Sequence, residues 1–282
     1  MNGHKMADIK KITFVSAVND QKVFENNFQI SPIFAHPHPH QILVQRGFPS
    51  AAEAYNDAID KSENEIIVFC HQDMIFPADW LSNLQRSLQY LERTDPNWGV
   101  LGCFGKNADG ADRGHLYMVG MGTIGAAFDH PESVRTLDEI VLIINKSSGI
   151  RFDTALPHYH FYGLDLCMQA ARLGKKCYAI PAFCIHNTQY NLVLPREFYA
   201  CYRLIKKRWK DQLPIQTTCV RVSIFDLDVK KRRLREFYLR KFERRTVGTH
   251  RSQSGQQLLE QIENNSQPEP YLAKRGEKQL CV

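Results

Sequence analysis

Apolar residues in the first third of the chain fall into short unbroken runs separated by segments with helical spacing. Residues 12–18 (ITFVSAV) form one run, 41–45 (QILVQ) a second, and 65–70 a third with nothing polar between Ile66 and Cys70. Such runs predict strands, the third buried on both faces. Between them, residues 20–29 predict a short helix, and 50–61 carry Ala and Ile at helical spacing. Ser50 is the expected N-cap there, with Glu53 completing a capping box. Residues 77–93 predict a longer helix with a Pro in its first turn and Trp80, Leu81, Leu84, Leu88 and Leu91 on one side. Residues 98–104 predict a fourth strand. This alternation implies an α/β fold whose ligand chemistry sits at the carboxyl ends of the strands.

Residues 105–115 are rich in Gly, Asp and Asn, which predicts a mobile polar loop. Further on, 138–145 predict a strand, 161–174 a helix stopped by Gly174, and 177–180 a strand. Residues 195–210 predict a helix that turns Phe198, Tyr202, Ile205 and Trp209 inward. From about Gly248 the chain is rich in Gln, Ser, Asn and Glu, the composition of a disordered tail. The organisation expected is therefore a main domain over 1–220, a basic helical extension over 221–248 and a tail over 249–282, without internal repeats.

The 282 residues, 43% of them hydrophobic, suffice for one large core or two small ones. The longest apolar runs, 66–70 and 140–144, fall far short of the roughly 20 residues a membrane-spanning helix needs. The net charge of +6 is uneven: residues 229–245 hold nine Lys or Arg against two Glu, a local +7 that leaves the other 265 residues at −1. Basicity is thus a property of one element, which argues against nucleic acid as the partner of the main domain. Within that element Leu234, Phe237, Tyr238 and Phe242 follow helical spacing. An amphipathic helix with cationic flanks packs on a domain, rests on anionic lipid or binds phosphates. Eight cysteines without a C-x-x-C pair, several inside apolar runs, predict buried free thiols and a reducing compartment. The N-terminal apolar run is too short for a signal peptide and reads as a first strand, so the expected location is cytoplasmic, with peripheral contact at the inner membrane face through 229–245.

The chemistry concentrates at His71-Gln72-Asp73, delivered to the sheet's carboxyl edge by the third strand. Side chains two apart on a strand share a face, Asp is a hard ligand for Mg²⁺ or Mn²⁺, and His suits borderline ions such as Mn²⁺. The triplet by itself also reads as a turn in which Asp73 is a cap. A His-Pro run, 36–40, places successive histidines on one side but has no carboxylate or cysteine beside it.

The order Tyr55-Asn56, His71-Gln72-Asp73, Phe76-Pro77 resembles the nucleotide-sugar-binding core of GT-A glycosyltransferases, in particular family-2-like enzymes. It is most similar to the domain associated with streptomycin biosynthesis, where His-Gln-Asp stands in place of Asp-x-Asp. The likeness runs over about residues 12–188. It implies a Rossmann-like, mixed, mainly parallel sheet flanked by helices, here with a C-terminal helical extension. It also implies transfer of a sugar from a UDP- or GDP-sugar to a glycan or lipid-linked acceptor hydroxyl, with inversion. Ser16, Ala17, Asn19, Asn56, His71, Gln72 and Asp73 would contact the donor, and Asp73 with His186 would hold Mn²⁺ or Mg²⁺. Asp165, at a helix N-terminus whose dipole favours its ionised form, would be the catalytic base, with His158, His160 and Tyr162 on the acceptor side. Relatives carry Glu-Asp where this chain has Leu164-Asp165, and the usual Asp-Asp-x-Ser-x-Asp of the second strand is missing. A binding module that has lost catalysis and a nucleotidyltransferase are the competing readings. The second lacks a glycine-rich phosphate loop after the first strand.

Overall fold

A computed structural model describes residues 11–35, 37–188, 193–243 and 253–264. The first part of the chain contributes β1 (Ile12–Ala17), α1 (Gln21–Asn26), β2 (Gln41–Gln45), α2 (Ala51–Lys61), β3 (Ile66–Cys70), β4 (Met74–Ile75), α3 (Trp80–Thr94) and β5 (Val100–Gly102). The middle adds β6 (Phe104–Lys106), β7 (Asp112–Met118), β8 (Gly122–Gly125), β9 (Glu132–Val134), β10 (Thr136–Leu137) and β11 (Val141–Asn145). The last part adds α4 (Tyr162–Arg172), β12 (Cys177–Ala179), β13 (Cys184–His186), α5 (Arg196–Arg208), β14 (Ile215–Gln216), β15 (Arg221–Val222), α6 (Leu227–Phe242) and α7 (Gly255–Glu263).

Seven strands form the main sheet in the order β2-β1-β3-β11-β5-β12-β9. It is mixed, with three parallel pairings (β1 with β2 and β3, β5 with β12) and three antiparallel ones. Alternate side chains of β1 and β3 serve opposite cores, as a pleated strand buried on both faces requires. Val15, Ile67 and Phe69 pack with α2, α4 and α5. Phe14, Val68 and Cys70 pack with α1 and α3, where Trp80, Leu84 and Leu91 are fully buried. The expected α/β layering is present. The cap on α2 is made as its sequence predicts, Ser50 Oγ accepting from Glu53 N at 3.2 Å.

The structure departs from expectation at three places that bear on the site. The run 98–104 is not one strand. The chain leaves the main sheet at Cys103, and β6 joins a second sheet, ordered β10-β6-β7-β13-β4 with β8 on β7. The expected loop over 105–115 is instead the β6–β7 hairpin, turned by Asn107, whose Oδ1 accepts from Asp109 N and Ala111 N. A local Asn side-chain turn of this kind looks like loop composition in a sequence. Third, the expected strand over 138–145 begins only at Val141, which frees Asp138, Glu139 and Ile140 to cross between the sheets.

The C-terminal part also differs. Helix α6 docks through Val229, Glu236 and Leu239, with Glu236 accepting from Tyr199 Oη (2.6 Å) and Leu194 N (3.1 Å). Leu234, Phe237, Tyr238 and Phe242, the apolar stripe at helical spacing, are 56–72% exposed. Within the expected disordered tail, α7 is an ordered helix capped by Ser254. Leu258 and Leu259 pack against Ile75, Tyr117 and Ile185. The remainder of that tail lies outside the described residues. The cysteines described are all free, and all but the half-buried Cys219 are buried. No helix among the described residues is long and apolar enough to cross a membrane.

Gly255 is required by close approach, since a Cβ there would lie 2.0 Å from Asn26 O. Gly255→Ala is expected to undock α7 with about 1–3 kcal/mol of overpacking strain, a roughly 5- to 150-fold rise in amide exchange. Hydrogen-exchange mass spectrometry checks this, with the rise confined to α7 and its immediate contacts.

Candidate functional site

Because β1 and β3 are parallel neighbours paired Ser16 to Cys70, their carboxyl ends bring Asn19 beside Gln72. The Gln72 amide spans the two ends: its Nε2 donates to Asn19 Oδ1 (2.6 Å) and its Oε1 accepts from the N–H groups of Asn19 and Asp20 (3.1 Å each). Beyond Gln72 the chain enters β4, which pairs antiparallel with β13 in the second sheet, Met74 opposite His186. That register sets Asp73 against His186, Oδ1 to Nε2 at 3.1 Å, both side chains buried. His71 stands over the same point, its ring centroid 5.4 Å from that of His186. One ligand atom from each of His71, Asp73 and His186 lies within 4.8 Å of the other two.

This cluster fits a divalent cation on three grounds. Two adjacent octahedral ligands at about 2.1 Å from an ion lie about 3.0 Å apart, and Asp73 and His186 stand at 3.1 Å. The Nδ1 of His186 is buried with no hydrogen-bond partner, the kind of orphaned atom a structure retains at a functional site. Two imidazoles beside one carboxylate also favour a borderline ion such as Mn²⁺ over Mg²⁺, which prefers oxygen.

His71 is fixed from behind. Its N–H donates to Ile140 O at 3.1 Å, and its Nε2 lies 3.1 Å from Tyr162 Oη. The Tyr162 hydroxyl lies 3.1 Å from Glu139 O and also meets the Tyr55 hydroxyl. Glu139 and Asp138 continue into a small pocket with His160, Phe161, Thr217 and Thr218, closed by the β14–β15 turn. Burial and the nearby Asp138 and Cys219 push the Glu139 carboxyl well above the usual carboxylate range. Burial likewise raises Asp138, against the hydrogen bonds it accepts from Thr218 Oγ1 and Ile140 N. Burial lowers His160 to about 4, which keeps it neutral near pH 7.

The expected site residues are placed differently from one another. Asp165 is 1% exposed, its Oδ1 accepts from Trp209 Nε1 (2.7 Å), and its Oδ2 accepts from Arg208 Nη1 and Gln169 Nε2 (2.9 Å each). It ties α4 to the end of α5. Asn56 uses both ends of its amide on Phe152, donating to its O (2.8 Å) and accepting from its N (3.0 Å), which holds a loop. Tyr162 lies beneath His71 with its ring buried, and does not form a wall facing solvent. Ser16 is fully buried, Ala17 half-buried, and Asn19 exposed at the strand end. His160 is in the pocket, whereas His158 adopts φ 62° and its backbone O accepts from Ala51 N. His36 lies outside the described residues, and His38 and His40 stack on each other beside Phe34 and Phe14. Sequence reasoning passed over Glu139. The Asp138-Glu139 pair ahead of an apolar run was the available signal, but it reads there as the start of a strand.

Similarity to known proteins can be set beside this geometry. Over 139 residues the chain is 27% identical to "ATP synthase subunits region ORF 6" of Fuscovulum blasticum, covering 47% of this chain and 55% of that protein. The chain thus spans about half the length of the curated relative it matches. Among solved structures, GalNAc-T7 with UDP, GalNAc and Mn²⁺ overlays with a TM-score of 0.47 at 10% identity, over 64% of this chain and 44% of that one. The mannosyltransferase PcManGT from Pyrobaculum calidifontis, in complex with GDP-Man and Mn²⁺, overlays with a TM-score of 0.45 at 13% identity, over 74% and 66% respectively. A family model described as "Glycosyltransferase like family" matches residues 13–196, from β1 through the cluster to the start of α5, and the chain belongs to that family.

Proposed function

We propose that the chain transfers a sugar from a nucleoside-diphosphate donor to an acceptor hydroxyl, with inversion at the anomeric carbon. The observation that carries this reading is the His71–Asp73–His186 cluster at the carboxyl edge of the sheet in a chain of this family. Asp73 and His186 would hold Mn²⁺, with His71 as the third ligand. The ion would neutralise the departing diphosphate. Asn19 and Gln72 present backbone and amide groups at the adjoining strand ends, where the nucleoside of the donor would lie. The likeness of His71-Gln72-Asp73 to the streptomycin-associated group supports the same donor chemistry. Asp165 has a structural role in this reading.

Helix α6 supports a second partner, an anionic membrane surface carrying a lipid-linked acceptor. Ile224, Phe225, Leu227, Leu234, Phe237, Tyr238 and Phe242 are 56–72% exposed. Exposed Lys230, Lys231 and Lys241 are interleaved with them, and the helix docks on the domain through its other side. Apolar side chains that enter the headgroup region, with lysines reaching up to phosphate, match an interfacial helix.

Release of nucleoside diphosphate from UDP-GlcNAc or GDP-mannose is expected with Mn²⁺ and to be abolished by chelation. Asp73→Asn is expected to weaken Mn²⁺ binding by calorimetry roughly 10- to 100-fold. Metal-dependent nucleotide binding without turnover on any acceptor would identify a module that has lost catalysis. Asp165→Asn is expected to lower stability by about 1–3 kcal/mol, roughly 2–10 °C in Tm, with nucleoside diphosphate release at the wild-type level. Loss of turnover in a folded Asp165→Asn protein would restore that residue as the base. The whole chain is expected to co-sediment with phosphatidylcholine vesicles only when they contain phosphatidylserine, and less as salt rises. Leu234→Ser with Phe242→Ser is expected to release it; unchanged binding by that variant would overturn the membrane contact.

A further inference from the structure

We propose that Glu139 is the catalytic base of the transfer, taking the proton from the acceptor hydroxyl. This rests on the reading of the chain as a nucleoside-diphosphate-sugar transferase, and adds the identity of the proton acceptor at that same site. The hydroxyl oxygen attacks the anomeric carbon as the bond from that carbon to the phosphate oxygen breaks. The nucleoside diphosphate leaves with the bonding pair, and the hydroxyl proton passes to a Glu139 carboxylate oxygen. No other co-reactant is needed.

Four observations place the carboxylate for this. First, the backbone around it is pinned to the candidate metal ligand: Ile140 O accepts from His71 N, and Glu139 O accepts from the Tyr162 hydroxyl that His71 also touches. The Glu139 backbone is thus tied to the cluster through Tyr162 and its neighbour Ile140. Second, its side chain lines a small pocket with Asp138, His160, Thr217 and Thr218. Third, Gly163, in the first turn of α4, leaves the room that the side chain occupies: a Cβ at Gly163 would lie 3.0 Å from Glu139 Cγ. Gly163 N donates to Glu139 Oε1 at 3.3 Å, so the carboxylate sits at the positive end of α4, where Asp165 was expected to serve. Fourth, the two acids are held differently. Asp165 is bound by an arginine, an indole and a side-chain amide, whereas Glu139's carboxylate receives backbone N–H groups, those of Gly163 and Phe161. Burial and the nearby Asp138 and Cys219 raise its proton affinity.

A purely structural rival is that Glu139 only completes the N-terminus of α4. Glu139→Gln separates the two, because an amide keeps the shape and can still accept from Gly163 N but cannot take a proton. The measurement is the rate of nucleoside diphosphate release from UDP-GlcNAc and GDP-mannose with Mn²⁺, together with Mn²⁺–UDP and Mn²⁺–GDP affinity by calorimetry, on the full chain. We expect turnover to fall by roughly 10²- to 10⁴-fold with nucleotide affinity unchanged. Glu139→Asp, which keeps the charge but withdraws it by one methylene, is expected to recover part of the rate, and it carries the test if the Gln variant does not fold. Turnover near the wild-type rate in folded Glu139→Gln would overturn the assignment. So would equal loss of rate and nucleotide affinity, or an Asp variant as active as wild type. If the wild-type chain binds nucleotide and metal but releases no nucleoside diphosphate under any condition, the transferase reading falls and the base with it.

Discussion

One strand pairing governs the site. Asp73 and His186 lie 113 positions apart and meet at 3.1 Å because Met74 of β4 pairs with His186 of β13. Strand register is discrete, and a slip by one residue would turn the alternate side chains to the other face. The pair is therefore set wholly or not at all. It also explains why β3 ends where it does. Its five residues are buried on both faces of the main sheet, and the polar triplet occupies the passage from β3 to β4 of the second sheet. His71 joins through Ile140 and Tyr162, so the link between the sheets over Asp138–Ile140 is part of the same frame.

Two carboxylates near α4 divide the labour that the sequence had given to one. Asp165 is neutralised by Arg208 and Trp209 and fastens α5 to the core, as buried charges are stable only when paired and hydrogen-bonded. Glu139 occupies the space left by Gly163 and faces a pocket. The difference arises from packing. An acid in the first turn of a helix turns outward or inward depending on what crosses that turn, and here the end of α5 covers Asp165.

The C-terminal helix shows the same dependence. Sequence periodicity identified an amphipathic element and its cationic flanks and left packing, lipid and phosphate open as what its apolar stripe and charges meet. Glu236, a charged residue, is among those buried, held by Tyr199 and Leu194, while Leu234 and Phe242 face outward. A helix with apolar residues on more than one side has more than one way to dock, and the hydrogen bonds offered by α5 chose the one that buries Glu236.

The sequence by itself determined what short-range chemistry determines. The alternation of strands and helices, the Ser50 cap, the burial of β3 and the choice of His71, Asp73 and His186 as candidate ligands all follow from local pattern or from resemblance over residues 12–188. Only the tertiary structure decided that these three side chains converge, that Asn56 binds the backbone of Phe152 and Asp165 is held by Arg208, Trp209 and Gln169, and that Glu139 lines a pocket. It also decided that α7 folds onto Ile75 and Ile185. The physical reason is common to all of these. Helical and strand periods report which residues share a face of one element, but contact between elements depends on register, crossing and the space left by residues such as Gly163 and Gly255, and no local pattern carries that information.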